Sequence, residues 1–372
     1  MSSKPTLKVG VVAGEFSGDR LGLEIIKALK VSFEVKLFGV GGPEMRMQGL
    51  NSEFDFKKLH IMGLIEPLLN IRELTKLRKN LIKKFTEEGI DYFIGIDSPD
   101  FNMGIHKALK NRKVSKNIQI VSPSVWGWRQ GRIRAIEKYI DFTACLFNFE
   151  DKFYKERGLN SIHLGHPFSE IIKADIQDVR AKFNLKDDTK FISILPGSRE
   201  SEIKKMLPIY IDFIRKHNQE SDSYTYLIPA ADKDLKDLIE SYLHETKLPI
   251  IIECNCSREF LSISEYSIVT SGTASLEAAV LGADPIICYK TNTLNYSIIS
   301  RMLKVKHIGL PNLLLDSRRY PELLQNECTP ESIFLEAKSL EDCPTQKGDK
   351  VDIKNLLTGE GFLATANRIS LL

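Results

Sequence analysis

The chain has 372 residues, 42% of them apolar and 27% charged, with a net charge of +3. That length exceeds one ordinary core and the composition is that of a soluble protein, so two domains are expected. The charge is too small to argue for nucleic acid, no stretch reaches the roughly 18 apolar residues of a membrane-spanning helix, and the six scattered cysteines include no C-x-x-C pair.

The opening MSSKPTLKVGVVAGE reads as a first strand and not a signal peptide, because Lys8 interrupts the apolar run and Glu15 follows it. The cysteines fit reduced thiols in the cytoplasm better than disulfides or structural zinc. Residues 7–13 form a short apolar strand ending in Gly14-Glu15-Phe16-Ser17-Gly18-Asp19. Leu21, Ile25, Ile26 and Leu29 then recur at helical spacing, and residues 35–40 give a second strand ending in Gly41-Gly42-Pro43. This order opens a doubly wound α/β domain. Further strands are read at 92–96, 119–121, 143–147 and 161–164. Around Gly165-His166-Pro167-Phe168 the pattern resets, and a new first strand at 191–195 ends in Pro196-Gly197-Ser198-Arg199. Strands at 224–228, 249–252, 267–270 and 285–289 complete the second set. The fold class is therefore α/β, with two Rossmann-like domains of parallel sheets, residues 1–168 and 169–344. A modest helical pattern closes the tail at 345–372.

In open α/β sheets, ligands sit outside the carboxyl ends of the strands, and four groups occupy such ends. The first is residues 14–19, a small-residue loop entering a helix whose N-cap is expected at Ser17. It lacks a G-x-G-x-x-G fingerprint, but Glu15 has little structural reason to sit at a strand end. The second holds Asp97, which follows an apolar strand; partial burial there raises a carboxylate's pKa and suits it to act as a general base. Asp100, three residues on, reads better as a helix cap. The third is LPGSRESEI, where Arg199 can fork onto a phosphate or simply pair with Glu200 or Glu202 at the surface. The fourth is IVTSGTASLEAAVLGA, residues 268–283. Ser271, Gly272 and Thr273 can aim backbone N–H groups at an anion, with Glu277 in the first helical turn placed for a ribose diol. An ordinary capped strand-to-helix turn needs the same residues. No carboxylate pair has metal-ligand spacing, so neither a metal nor a cofactor is expected.

Two further stretches combine apolar and basic residues. In residues 61–84, Leu64, Ile65, Leu68 and Leu69 precede Arg72, Lys76, Arg78, Lys79, Lys83 and Lys84. An interfacial helix on an anionic membrane has this pattern, and so does a core helix with a solvated basic face. Trp126, Trp128, Arg129, Arg132 and Arg134 form an aromatic and basic cluster suited either to an anionic acceptor or to a domain interface.

Taken in order, AGEFSGD (13–19), GVGGPEM (39–45), MGLIEPL (62–68), GIDSPDFN (95–102), VSPSVWGWR (121–129), LGHPF (164–168), LPGSRESEI (195–203), SGTASLEAAV (271–280) and LPNLLL (310–315) resemble the lipid-A-disaccharide synthases. The resemblance runs from about residue 9 to about residue 330. It implies a GT-B glycosyltransferase with two Rossmann-like domains facing an interdomain cleft. The first would bind acceptor and membrane, the second would bind the UDP-sugar, and the last helix would cross back onto the first. The implied reaction joins UDP-2,3-diacylglucosamine to 2,3-diacylglucosamine 1-phosphate with inversion and releases UDP. The family's essential acidic residue falls on Asp97, its arginine on Arg199, its glutamate on Glu277 and its asparagine on Asn312. Either Asp97 or Glu15 would take the proton from the acceptor hydroxyl, while Arg199 and residues 271–273 hold the leaving UDP. Ile61, Leu64, Ile65, Leu68 and Leu69 become the membrane contact, and Arg129 and Arg132 the anion contacts for the acceptor. The implied partners are the two diacyl sugars and the cytoplasmic face of the inner membrane, with no nucleic acid and with a homodimer left open. Other readings of the same fold are a UDP-N-acetylglucosamine 2-epimerase, the muramyl-lipid glucosaminyltransferase, or a non-catalytic nucleotide-sugar sensor.

Overall fold

The computed structural model describes residues 4–59, 66–123, 125, 130–186, 188–221, 223–243, 246–290, 306–342 and 353–372, with the side chains of 57, 66–71 and 130 left out. The chain divides into two compact units. One comprises Met1–His166 with Leu357–Leu372, the other Pro167–Leu356.

In the first unit, strand β1 (Thr6–Ala13) sends Val9 and Val11 to one face and Val12 to the other, and all three are fully buried. That alternation is the strand's own period of two, and each such side chain contributes roughly 1.5–3 kcal/mol when removed from water. The elements that follow are α1 (Phe16–Lys30), β2 (Glu34–Val40), α2 (Pro43–Met47), β3 (Asn51–Ser52), α3 (Glu66–Glu88), β4 (Tyr92–Ile96) and α4 (Pro99–Arg112). Then come β5 (Lys116–Ile120), α5 (Ile133–Tyr139), β6 (Phe142–Cys145), α6 (Asn148–Lys155) and β7 (Ser161–His163). The sheet is parallel, in the order β3-β2-β1-β4-β5-β6-β7. Leu21, Ile25, Ile26 and Leu29 of α1 cover one face, and Leu81, Phe85, Phe101, Ile105 and Leu109 of α3 and α4 cover the other.

The second unit repeats the plan. It holds α7 (Ile176–Phe183), β8 (Lys190–Leu195), α8 (Glu200–Glu220), β9 (Tyr224–Ala230), α9 (Lys233–Ser241), β10 (Ile250–Cys254), α10 (Ser257–Ile263), β11 (Tyr266–Thr270) and α11 (Thr273–Leu281). β12 (Asp284–Tyr289), α12 (Leu310–Leu315), β13 (Glu322–Leu324), α13 (Pro330–Asp342) and α14 (Ile353–Leu357) follow. Its parallel order is β10-β9-β8-β11-β12-β13. The last helix, α15 (Gly361–Ile369), returns to the first unit, where Ala366 and Ile369 are buried against the α1 side of the core.

The two points where the chain leaves and rejoins the first unit are bonded to each other. His166 N–H donates to Leu357 O at 2.8 Å, Glu360 N–H to His163 O at 2.8 Å and Gly361 N–H to Leu164 O at 3.0 Å. A Cβ on Gly165 would stand 2.6 Å from Gly359 N, so two glycines are needed for the segments to pass.

The sequence reading differs from this in three places. β3 and β13 are only two and three residues long, too short for alternation to register. β5 ends at Ile120, because Val121 turns to φ 70°. The second unit runs to Leu356 and not to 344, with Lys354 Nζ donating to Ile171 O at 2.6 Å. Among the described residues, no helix is long and apolar enough to cross a membrane.

Candidate active site

Each sheet reverses its strand order once, between β1 and β4 in the first unit and between β8 and β11 in the second. In folds of this kind the crevice outside the strands' carboxyl ends at that reversal is where ligands bind.

In the first unit, β1 runs out into Gly14 and Glu15. A Cβ on Gly14 would stand 2.8 Å from both Leu59 Cβ and Ser98 Oγ, so the glycine lets the ends of β1 and β4 approach. Helix α1 begins at Phe16, which makes half-buried Glu15 the N-cap residue in place of Ser17, and its carboxylate makes no capping bond. Ser17 is exposed inside the first turn. Asp19, from the same motif, is fully buried and accepts from Gly42 N (2.8 Å), Glu44 N (2.8 Å) and Met45 N (3.2 Å). Its carboxylate therefore fills the N-terminus of α2, where a phosphate would otherwise find its donors.

Asp97 follows β4 in a left-handed conformation, φ 50°, and Ser98 continues it at φ 43°. Two successive non-glycine residues in that region are costly, and such strain gathers at functional sites. The Asp97 side chain is half-buried. Burial raises its pKa above the ordinary carboxylate value, the facing charge of Glu15 raises it further, and a hydrogen bond from the Ser98 backbone opposes both. The result is a carboxylate held close to its proton-accepting range. Asp100 is exposed in the first turn of α4 and pairs with Arg132, so that arginine's partner is a carboxylate of the protein itself. Arg129, Trp126 and Trp128 lie outside the described residues.

In the second unit, Arg199 is the N-cap residue of α8. Its side chain is exposed, with Nη1 3.4 Å from Glu202 Oε1, a loose contact that contributes little. Glu202 also accepts from Ser198 N–H at 3.1 Å, and it packs where a Cβ on Gly197 (φ 126°) would lie. Glu202 thus braces the turn while the guanidinium stays open to solvent.

After β11, the Ser271 N–H donates to Cys288 O at 2.8 Å. It is therefore not free for an anion, contrary to the sequence expectation. The amides that remain are those at the start of α11, Gly272 as its N-cap with Thr273 and Ala274, which have no intrahelical partner one turn back. Among the described residues, none beyond its chain neighbours lies within 4 Å of where a Gly272 side chain would stand. Glu277 is the fifth residue of α11 and lies past the first turn where the sequence reading put it. It is half-buried, burial raises its pKa, and Ser257 Oγ donates weakly to it at 3.5 Å, with Arg258 also favouring its charge.

Asn312 stands apart from these open groups. It is fully buried, its Nδ2 donates to Tyr320 O and to Glu322 Oε1 at 2.8 Å each, and its Oδ1 accepts from Tyr320 N–H at 2.9 Å. These bonds tie it to the turn that follows α12. Its partner Glu322, unmarked in the sequence reading, also accepts from Ile308 N–H and Gly309 N–H at 3.0 and 3.1 Å. A buried carboxylate needs such donors, and that requirement is the signal that would have paired Glu322 with the LPNLLL turn.

Of the expected membrane residues, Ile61, Leu64 and Ile65 lie outside the described residues, and Leu68 and Leu69 sit in α3 with undescribed side chains. The later part of α3 is a core helix, with Leu81 and Phe85 buried and Lys83 and Lys84 paired to Glu87 and Glu88. Among the described residues, no group of three or more His, Cys, Asp or Glu could hold a metal ion.

Two doubly wound parallel sheets, one with acidic and one with basic and amide groups at the order reversal, define a GT-B fold. UDP-GlcNAc 2-epimerase from Neisseria meningitidis superposes with a TM-score of 0.64 at 12% identity, covering 98% of each chain. The calicheamicin glycosyltransferase superposes at 0.59 and 11% identity, covering 100% of this chain and 98% of that one. The chain belongs to the lipid-A-disaccharide synthase family: the family model for lipid-A-disaccharide synthetase matches residues 9–369. The lipid-A-disaccharide synthase of Hahella chejuensis is 38% identical over 90% of this chain and 85% of its own. That of Pseudomonas aeruginosa is 35% identical over 93% and 92%. The protein is accordingly a glycosyltransferase of lipid A biosynthesis.

Proposed function

We propose that this chain joins UDP-2,3-diacylglucosamine to 2,3-diacylglucosamine 1-phosphate in one inverting displacement, with Asp97 as the base. The observation that carries the reading is Asp97 itself. It is a half-buried carboxylate of raised pKa, held in a left-handed backbone at the order reversal of the first sheet. It accepts the proton of the acceptor's primary hydroxyl as that oxygen bonds to the anomeric carbon and the bond to UDP breaks. Glu15 keeps the Asp97 pKa up and so acts on the base, not on the substrate. In the second unit, Arg199 and the first amides of α11 neutralise the departing diphosphate, a charge-assisted set that needs no reorganisation. Glu277 accepts from the ribose, and Asn312 with Glu322 fixes the turn beside it.

The test is direct: incubate the protein with both diacyl sugars and follow products by mass spectrometry. The reading predicts a disaccharide 1-phosphate and one UDP per turnover. Turnover of UDP-GlcNAc with no lipid present would point to an epimerase, and UDP binding with no product to a sensor.

We further propose that the apolar segment at 61–69 seats the enzyme on an anionic membrane surface, because both substrates carry acyl chains. The paired change Leu68→Glu with Leu69→Glu is expected to abolish co-sedimentation with anionic vesicles. Unchanged sedimentation would remove the assignment.

A further inference from the structure

A buried polar frame behind Asp97 has no part in the reaction as proposed so far. Gln119, on β5 and 1% exposed, directs its Nε2 at three backbone carbonyls: Asp97 O (3.1 Å), Ile120 O (3.1 Å) and Val121 O (3.2 Å). Its Oε1 lies 3.0 Å from His106 Nε2 on α4, and His106 is fully buried. Three carbonyls can only accept, so the amide end of Gln119 must face them and Oε1 must face the histidine. It follows that His106 Nε2 carries the ring proton. Burial agrees, lowering the His106 pKa to about 4 and keeping the ring neutral. A second amide, that of fully buried Asn102, donates to the same Asp97 carbonyl at 2.9 Å.

The backbone around this frame is unusual in the same place. Asp97, Ser98 and Val121 all have positive φ, at 50°, 43° and 70°. For a β-branched residue such as Val121 that is a clear outlier, and surrounding structure must impose it. Asp97 N–H donates to Ile120 O at 2.9 Å, and Val121 N–H to Ala144 O at 2.9 Å, so both ends are pinned. Gly95 belongs to the frame as well: a Cβ there would stand 2.9 Å from both Gln119 Oε1 and His106 Nε2, and 3.1 Å from Asn102 Cβ. His106 is further fixed edge-on against Phe93, with ring centroids 4.8 Å apart.

We infer that Gln119, oriented by His106 and assisted by Asn102, is the positioning residue of the reaction, locking the left-handed turn that aims the Asp97 carboxylate. The inference rests on the reading of Asp97 as the base. It accounts for why Gln119, between the buried Ile118 and Ile120, is itself a buried amide, and why the helix behind it buries an imidazole. Without the amide the three carbonyls lose their shared donor and the turn relaxes. The Asp97 carboxylate then moves off the hydroxyl and into water. Glu15, at the end of β1, is the charged group that faces it.

The experiment compares Gln119→Leu and Gln119→Met with the parent enzyme, after thermal melts show folded protein. Both remove the donor without placing a charge near Asp97. We expect kcat to fall about 100-fold, the scale of a misplacement near 1 Å, with the KM for the UDP-sugar within about twofold. The acidic limb of the kcat–pH profile should move to lower pH, because a better-solvated Asp97 loses its raised pKa. Parent-like kcat with an unmoved limb would overturn the inference. Should neither variant fold, Asn102→Ala removes one of the two donors to the Asp97 carbonyl and must show the same limb shift; an unmoved limb there also overturns it. Asp97→Asn is run in parallel. If that variant keeps parental kcat, the base assignment itself fails. If it loses activity while the Gln119 and Asn102 variants do not, only the positioning role fails.

Discussion

The two order reversals of this molecule are built in opposite ways. In the first unit, the turn after β4 is over-determined. Its backbone is left-handed at non-glycine residues, its carbonyl is held by two buried amides, and its carboxylate is half out of water. In the second unit, the turns after β8 and β11 are open: Arg199 is exposed and loosely paired, and no described residue beyond its chain neighbours crowds Gly272. The difference follows from the chemistry each is asked to do. A base must have its pKa and its direction fixed in advance, which takes buried structure. A grip on a diphosphate that must enter and leave needs donors that are reachable.

Asp97→Asn is expected to have the largest effect, lowering kcat by about 10³ while leaving UDP affinity unchanged, as befits the loss of a general base. Parental kcat in a folded variant would break the comparison at its acidic end. Arg199→Ala comes next. It should weaken UDP binding about 10- to 100-fold by calorimetry, the scale of a hydrogen bond to a charged group. Glu277→Gln follows at about tenfold, since one acceptor changes but the amides and Arg199 remain.

The smallest effect concerns stability against pH, where the units also differ. The first unit buries His106 and His166, each lowered by burial from 6.5 to about 4. The unfolded chain protonates first, so their contribution is complete above pH 6.5 and is lost as pH falls toward 4. In the second unit, burial acts to raise the pKa of Glu341. Hydrogen bonds from His217 at 2.8 Å and Tyr266 at 2.9 Å outweigh it and bring the value to about 2. That contribution is present above pH 4.5 and is lost only as pH falls through 2. Between pH 7 and 5 the acid sensitivity should therefore come from the first unit. His166→Phe, which keeps the stack on Phe147 at 5.5 Å, should lose less stability over that interval than the parent, by on the order of 1 kcal/mol in urea titrations. An equal loss would contradict the assignment.

The alternating strands and the glycine turns were legible in the sequence because their cause is local. Apolar periodicity registers burial, and Gly14 and Gly197 mark close approach. The open ends of both sheets, with Glu15, Asp97 and Arg199, could be named from their place after a strand. What the sequence hid is long-range. Gly95, Asn102, His106 and Gln119 come from β4, α4 and β5, and no spacing rule joins them. The bonds from Asn312 to Tyr320 and Glu322 were likewise hidden, because they join the LPNLLL turn to residues eight and ten positions on. Ser271 failed as an anion donor because a sheet hydrogen bond to Cys288 uses its amide, which depends on the neighbouring strand's register.

The central claim is that proton chemistry and the hold on UDP belong to different units. Calorimetric titration of UDP into the parent, Asp97→Asn and Arg199→Ala tests it. The account predicts parental affinity for Asp97→Asn and at least a tenfold loss for Arg199→Ala. Lost UDP binding in the first, or parental binding in the second, would contradict it.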